Sequence, residues 1–460
     1  MLSLRTSLIA LCIAMAGAFP AIGKGETTPG SGYKGIWYTL GFSFEYGDKY
    51  SGGLGTYPAN QRPMAVYASE VDTTFFTYGG TPRADLRQLQ IMVGAYDHKN
   101  KTVTRPKVVH MDRHVDDPHD NAALQIDSKG YLWIFKSGRG DRRPGYIYRS
   151  DAPYSIAGFT QQGKQAFAYP QPWWIENRGF LLLFTKYTAG RELYWKTSPD
   201  GVTWSEDQKL AGFGGHYQVS GEHKGKIATF FNYHPGGDVD KRTNLYYAQS
   251  TDHGQTWTTA DGKILTLPLA SVKNEALVRD LVAMKRTMYT CDLNFDKNGN
   301  PALLYVRSAL GKPGPAGDPR EWVITHWTGK EWVDRIITKS THNYDMGSLY
   351  IDGPTWRIIA PTLEGPDKWG TGGEMALWIS QDDGTTWKME HQITKGSTSN
   401  HSYARRPQNA ANPFFAYWAD GDTKKLGRSH LYFTDSTGQE VWQLPYEMST
   451  ETASPIREQE

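Results

Sequence analysis

Cysteine is almost missing from this 460-residue chain, which has two, Cys12 and Cys291. Cys12 falls in an N-terminal apolar stretch, so a processed chain keeps one thiol and can form no internal disulfide. No C-x-x-C or H-x-x-x-H spacing stands beside Cys291, so a zinc site there lacks support, and the residue reads as a core thiol. After the N-terminus no segment approaches the roughly 20 apolar residues of a bilayer-spanning helix. Nor does any long segment space its apolar residues at helical intervals. An excess of one charge is also absent: 50 Lys and Arg face 48 Asp and Glu, a net +2. No nucleic-acid footprint is therefore expected. These shortages leave no cysteine pair for an internal disulfide in a processed chain and no later segment for a membrane-spanning helix.

The first residues read as an export signal. Arg5 precedes the apolar stretch from Leu8 to Phe19, and Ala16-Gly17-Ala18 offers a small-x-small cleavage site. Residues 1–23 are expected to be a signal peptide, and the protein to be secreted or periplasmic. Cys12 lies inside the apolar core rather than after it, so no lipid anchor is expected.

What the chain does contain is glycine (48 residues), aromatics (13%) and an internal repeat. Ser198-Pro-Asp-Gly-Val-Thr-Trp204, Ser250-Thr-Asp-His-Gly-Gln-Thr-Trp257 and Ser380-Gln-Asp-Asp-Gly-Thr-Thr-Trp387 each follow an apolar, aromatic run. S-x-D-x-G-x-T-W is the Asp box, a turn between the outer strands of a β-propeller blade. Its Asp caps the turn, its Gly supplies positive φ, and its Trp packs the turn on the sheet. The expected fold is all-β, a seven-bladed β-propeller with Asp-box turns. Cutting at the 40–50-residue repeat length gives pieces near 33–112, 113–163, 164–210, 211–265, 280–338, 342–395 and 399–446. Residues 24–446 would form a single propeller domain and 447–460 a polar, disordered tail.

In a propeller the starts of inner strands and the ends of second strands meet around the channel on one face. Here the starts carry His119, Tyr169, His216, Tyr217, Tyr344, His401 and Tyr403. The second-strand ends carry Arg139, Lys186, Tyr187, Arg191, Tyr233, His234, Arg242 and Arg307. Any one of these could simply satisfy backbone groups. A concentric set of cations and phenols, however, suits an anionic, hydroxyl-rich ligand such as an acidic polysaccharide. Glycoside hydrolysis needs two facing carboxylates, and the ring offers only Asp120, Asp292 and Asp345, each as well suited to tying down a strand. An exo-sialidase would need an N-terminal Arg-Ile-Pro segment; the nearest string, Trp356-Arg-Ile-Ile-Ala-Pro361, comes late. β-Elimination needs a cation at the uronate carboxylate, a base that is His or an acidified Tyr, and an acid for the departing O4. His, Tyr and Arg are what this face supplies.

The same residues carry a family resemblance over nearly the whole mature chain. Gly35-Ile-Trp-Tyr38, Lys49-Tyr-Ser-Gly-Gly-Leu-Gly-Thr-Tyr57 and Phe75-Phe-Thr-Tyr-Gly-Gly80 resemble the BNR-repeat proteins that include the β-propeller ulvan lyases. So do Asp117-Pro-His-Asp-Asn121, Tyr169-Pro-Gln-Pro172, Phe231-Asn-Tyr-His-Pro235, Arg242-Thr-Asn-Leu-Tyr-Tyr247 and Asn343-Tyr-Asp-Met-Gly-Ser-Leu-Tyr350. The likeness is strongest to polysaccharide lyase family 25, which cleaves ulvan, a sulfated rhamnose–uronate polymer. It implies His119 and Tyr187 as the catalytic pair, with Tyr169 as the rival tyrosine. It also implies Arg191 at the carboxylate and Tyr233 in support; Arg139, His234 and Arg242 complete the expected substrate-binding set. Many relatives are expected to place a second His twenty residues after the first, within Ser-x-His-Gly. Here the segment is Ser137-Gly-Arg-Gly140, and Arg139 cannot be a neutral base.

The function expected is thus a monomeric polysaccharide lyase that leaves 4,5-unsaturated uronate ends and needs no cofactor for its chemistry. A structural metal is conceivable without support: the Asp292–Asn300 alternation lacks the late Glu of a calcium loop and reads as an Asn-Gly turn. His110 and His114 read as solvated connector residues. The competing readings are a glycoside hydrolase acting at rhamnose–glucuronate linkages and a non-catalytic carbohydrate-binding propeller.

Overall fold

The computed structural model describes residues 28–112 and 115–458; the expected signal peptide and His114 lie outside them. Regular structure among these residues is strand, apart from four short 3-10 turns. No helix among them is long and apolar enough to cross a membrane. The architecture is an all-β propeller.

Six sheets are simple up-and-down blades in which sequence neighbours pair antiparallel. The first of them runs Ala122–Ile126, Leu132–Lys136, Gly145–Ser150 and Phe159–Gln165. The second runs Ala168–Ile175, Gly179–Tyr187, Arg191–Ser198 and Gln208–Ala211. The third begins at Gln218–His223, the fourth at Thr287–Phe295, the fifth at Ser348–Asp352 and the sixth at Asn400–Arg405. Their middle strands read as unbroken apolar runs because blades cover both faces. Phe180 to Phe184 are all fully buried, for example.

The expected count of seven blades is corrected to six. The segment expected to be the first blade builds a branched seven-stranded sheet around Thr73–Gly80 and Gln90–Asp97. That sheet fills the sector between the last and first regular blades. Leu124 donates its amide to the Pro63 carbonyl on one side, and Val66 bridges Gln408 on the other. Phe76, Phe414 and Phe433 stack in the second seam. The sheet branches because a blade at the chain's start has an outer edge to cover. Thr28–Pro29 pairs with Lys107–Met111, and Thr452–Ala453 with Thr102–Thr104. The tail is therefore ordered, contrary to expectation: Ile456–Arg457 also adds to Val441–Gln443. Open edges supply the hydrogen-bond partners that its polar composition does not advertise.

The three repeated turns join third and fourth strands and share one bonding scheme. Asp200 accepts from the amides of Val202 and Thr203, while Asp252 and Asp382 accept from the amides of Thr256 and Thr386. Gly201 has φ 75°, and a Cβ there would lie 2.5 Å from the Trp133 ring of the preceding blade. Glycine is thus required twice over, by backbone and by contact.

Candidate active site

A cleft of about 630 Å³ opens where the inner strands begin. Its walls come from several separate places in the chain. The Pro118–Asp120 turn brings His119, with Asp117 as its cap accepting the His119 amide at 3.0 Å. The loop after Leu132–Lys136 brings Arg139 and Arg143. The hairpin between Gly179–Tyr187 and Arg191–Ser198 sets Tyr187 directly across from Arg191. The segment before Thr243–Ser250 brings Arg242, and Lys49 and Tyr50 reach in from the N-terminal arm.

Tyr169 enters by a different device. Its φ is 52°, and the pairing register slips between Ala168 and Gln171. A non-glycine residue held left-handed costs about 1–3 kcal/mol, and the strain turns the phenol toward Arg139. Arg139 is the hub: one guanidinium nitrogen donates to Tyr169 at 2.6 Å and to Tyr187 at 2.9 Å. Its other terminal nitrogen donates to Asp117 at 3.1 Å.

Asp117 in turn serves several cations. It accepts from Arg143 at 3.0 Å and from His119 Nδ1 at 2.5 Å. Burial alone would raise its carboxyl; His119 and Arg139 outweigh that and hold it far below the ordinary range. Burial pushes the His119 imidazole down to about 4, against the pull of Asp117, so it is neutral at pH 7. With Nδ1–H given to Asp117, Nε2 accepts the Tyr57 hydroxyl at 2.7 Å. Both ring nitrogens of His119 are therefore occupied.

A second cation group faces this one. The Arg242 guanidinium lies 4.5 Å from the Tyr217 ring centre and 4.3 Å from that of Tyr289, and it donates to Tyr344 at 2.5 Å. Arg191 sits over Tyr187 and Tyr217, and its Nε is buried without a partner. That nitrogen is a donor with no acceptor until an anion enters.

Of the residues singled out in the sequence, His119, Arg139, Tyr169, Tyr187, Arg191 and Arg242 converge on the cleft. Tyr233 does not line it; its ring packs 5.8 Å from Phe213. His234 is buried behind Tyr217, with ring centres 5.0 Å apart, and neither of its nitrogens has a partner. Burial, helped by the charge of Arg242, holds it neutral. Lys186 and Arg307 are turned away onto Asp207 and Glu321. Asp117, Arg143, Lys49 and Tyr50 were missed. Signals for them existed: Lys49, Tyr50 and Asp117 stand in the strings that carry the family resemblance, and Arg143 lies four residues after Arg139.

The remaining candidates take structural places. Asp120 holds Lys136 and Arg143, while Asp292 holds Arg62 and Arg406. Asp345 caps the Ser340–His342 turn. Asp296 accepts from the amides of Asn298 and Asn300, as an Asn-Gly turn requires. His110 is not a solvated connector: it bonds Tyr148 at 2.7 Å from within the Lys107–Met111 strand. Cys291 is buried, and burial pushes its thiol up. Among the described residues no three His, Cys, Asp or Glu side chains gather as metal ligands would.

The model of the BNR repeat-containing family matches residues 76–340, more than half of the chain. The chain belongs to that family. A curated ulvan lyase of Nonlabens ulvanivorans is 24% identical over 375 residues, 71% of this chain and 76% of its own. Among solved structures, a PL25 ulvan lyase bound to GlcA(1-4)Rha3S superposes with TM-score 0.69 at 14% identity, over 89% of this chain and 96% of that one. The polysaccharide lyase Uly1 follows at TM-score 0.61 and 12% identity, over 92% and 98%. At such identities the structural likeness establishes that the BNR-family chain shares the lyases' propeller fold.

Proposed function

We propose that this protein is a polysaccharide lyase that cleaves an anionic, uronate-containing polymer by β-elimination, with ulvan as the substrate. The observation that carries the reading is the composition of the cleft. Five guanidiniums and five phenols line it, while Asp117 is committed to His119, Arg139 and Arg143, and Asp116 to Arg87. Two free carboxylates facing each other, as hydrolysis needs, are not available. The match to a curated ulvan lyase points the same way.

In this reading Arg191, through its unpartnered Nε, and Arg242 take the uronate carboxylate and stabilise the charge that develops on it. A base removes the C5 proton, and the C–H electron pair becomes the C4–C5 double bond. The C4–O4 bond breaks, and O4 leaves with a proton. Tyr187 suits that last step, because its oxygen accepts from Arg139 and Arg191 while its own proton stays free to donate. Of the catalytic pair His119 and Tyr187, His119 would act on substrate only after giving up Tyr57. We place the enzyme outside the cytoplasm, as a monomer.

The test is absorbance near 235 nm during incubation of purified protein with ulvan and, in parallel, other uronate polymers. A rise on ulvan is expected, reporting the 4,5-unsaturated ring. New reducing ends without absorbance would make it a hydrolase; binding with neither signal would make it a lectin-like propeller.

A further inference from the structure

The elimination needs a proton acceptor, and His119, one of the catalytic pair that the family resemblance implies, has both ring nitrogens engaged. We propose that Tyr217, as a phenolate, is the base that takes the C5 proton. The inference rests on the lyase reading and names a residue within it.

Arg139 can only donate, and it donates to the Tyr169 oxygen at 2.6 Å. Tyr169 meets Tyr217 ring edge to ring face, with centres 5.4 Å apart. Tyr217 thus stands directly beside the Arg139–Tyr169 pair. Its place is fixed from behind, where its amide donates to Asn232 Oδ1 at 2.8 Å. It lines the cleft beside Arg191 and Arg242, the two cations assigned to the carboxylate. A carboxylate held by those two guanidiniums, both of which lie over the Tyr217 ring, would bring its α-carbon, C5, to the side of the cleft that Tyr217 lines.

The charges around Tyr217 fit that role. Arg191, Arg242, Arg139 and Lys49 supply positive charge, Tyr50, Tyr169 and Tyr344 are neutral phenols, and His234 is a neutral imidazole. Burial would raise the Tyr217 phenol, but the three arginines outweigh it, and it lies below its ordinary value. Its neighbours go the other way: burial lifts Tyr57, Tyr169 and Tyr344 well above theirs. Tyr217 is the phenol in this group that gives up its proton first.

The experiment compares wild type, Tyr217→Phe and His119→Gln. In the free proteins, tyrosinate absorbance at 295 nm is followed against pH; the wild type is expected to show one phenol ionising early that Y217F lacks. Phe keeps the ring under Arg242, and far-UV circular dichroism checks the fold. On ulvan, Y217F is expected to lose about 10²–10⁴-fold in kcat, with the loss of the ascending limb of the kcat/KM pH profile. Y217F turning over within tenfold of wild type would overturn the proposal. So would an ascending limb that survives in Y217F and vanishes in H119Q. If wild type itself forms no unsaturated product on any uronate polymer, the lyase reading falls, and the base role with it. An active wild type with an active Y217F removes the base role alone.

Discussion

Acid should unfold this protein through histidines that are buried neutral, and His216 shows why. Its Nδ1 faces the Asn232 carbonyl at 2.9 Å, and its Nε2 accepts the Phe213 amide at 3.3 Å. That pattern satisfies one tautomer of the neutral ring. A second proton would put an N–H against the Phe213 N–H, with no water nearby to take it, since the side chain is fully buried. Burial accordingly pushes His216 down to about 4 from 6.5. Between those values the unfolded chain binds a proton that the folded one refuses, so stability is complete above pH 6.5 and falls as pH drops toward 4. The gap corresponds to roughly 3 kcal/mol for this one residue. His342, pushed by burial to about 3, adds in the same direction. Asp345, raised by burial to about 7, opposes them, because the folded state there holds the extra proton. The variant that isolates the effect is His216→Gln, whose amide can donate to Asn232 and accept from Phe213. Denaturant midpoints measured from pH 7 to pH 4 should fall less steeply in H216Q, by up to one proton's worth, about 1.4 kcal/mol per pH unit. Equal slopes in the two proteins would refute the reasoning, as would a His216 resonance titrating near 6.5 in the folded state.

Asp292→Asn should cost about 3–5 kcal/mol, because the buried Arg62 at 2.5 Å and the half-buried Arg406 at 3.2 Å would be left without a counter-charge; urea denaturation measures it. Gly254→Ala should destabilise by about 1–3 kcal/mol from the backbone alone, since φ is 85°, with a further penalty from a Cβ 2.7 Å from Trp195 Nε1; an unchanged melting temperature would contradict this. Arg139→Lys should leave early tyrosinate ionisation nearly intact and still cut kcat more than tenfold, as one ammonium cannot hold Asp117, Tyr169 and Tyr187 together. Prolonged dialysis against EDTA is expected to leave turnover unchanged; a loss restored by added divalent ion would give a metal a part in the reaction.

The propeller was legible because its signals are local. The Leu132 to Phe135, Phe180 to Phe184 and Ile227 to Phe231 runs all fall inside observed second strands, since a strand buried on both faces has to be apolar throughout. The apolar run Phe414 to Tyr417 is an exception, since the second strand there is Ala416–Gly421. Phe414 leaves the strand to stack on Phe76 and Phe433 in the seam with the seven-stranded sheet. That seam is made by residues more than 300 positions apart, and no window of sequence displays it. The irregular sheet and the ordered tail were hidden for the same reason, as each depends on an edge created elsewhere.

The site shows the same division between local and distant information. Strand-end positions located Arg139, Tyr187 and Arg191 correctly on one face, but roles depend on which partner each atom finds. His119 looked like a base because it is a histidine at a strand start; Tyr57, 62 residues earlier, takes up its Nε2. Arg139 looked like a defect because it stands where relatives are expected to carry a histidine. In the fold it is what organises the phenols. A guanidinium cannot accept a proton at any working pH, so a chain with Arg139 has to find its base elsewhere. The same fixed charge, joined by Arg191 and Arg242, favours a phenolate at Tyr217. On the proposal that Tyr217 is the base, an arginine at position 139 is compatible with elimination, because the proton is taken by a neighbouring tyrosine.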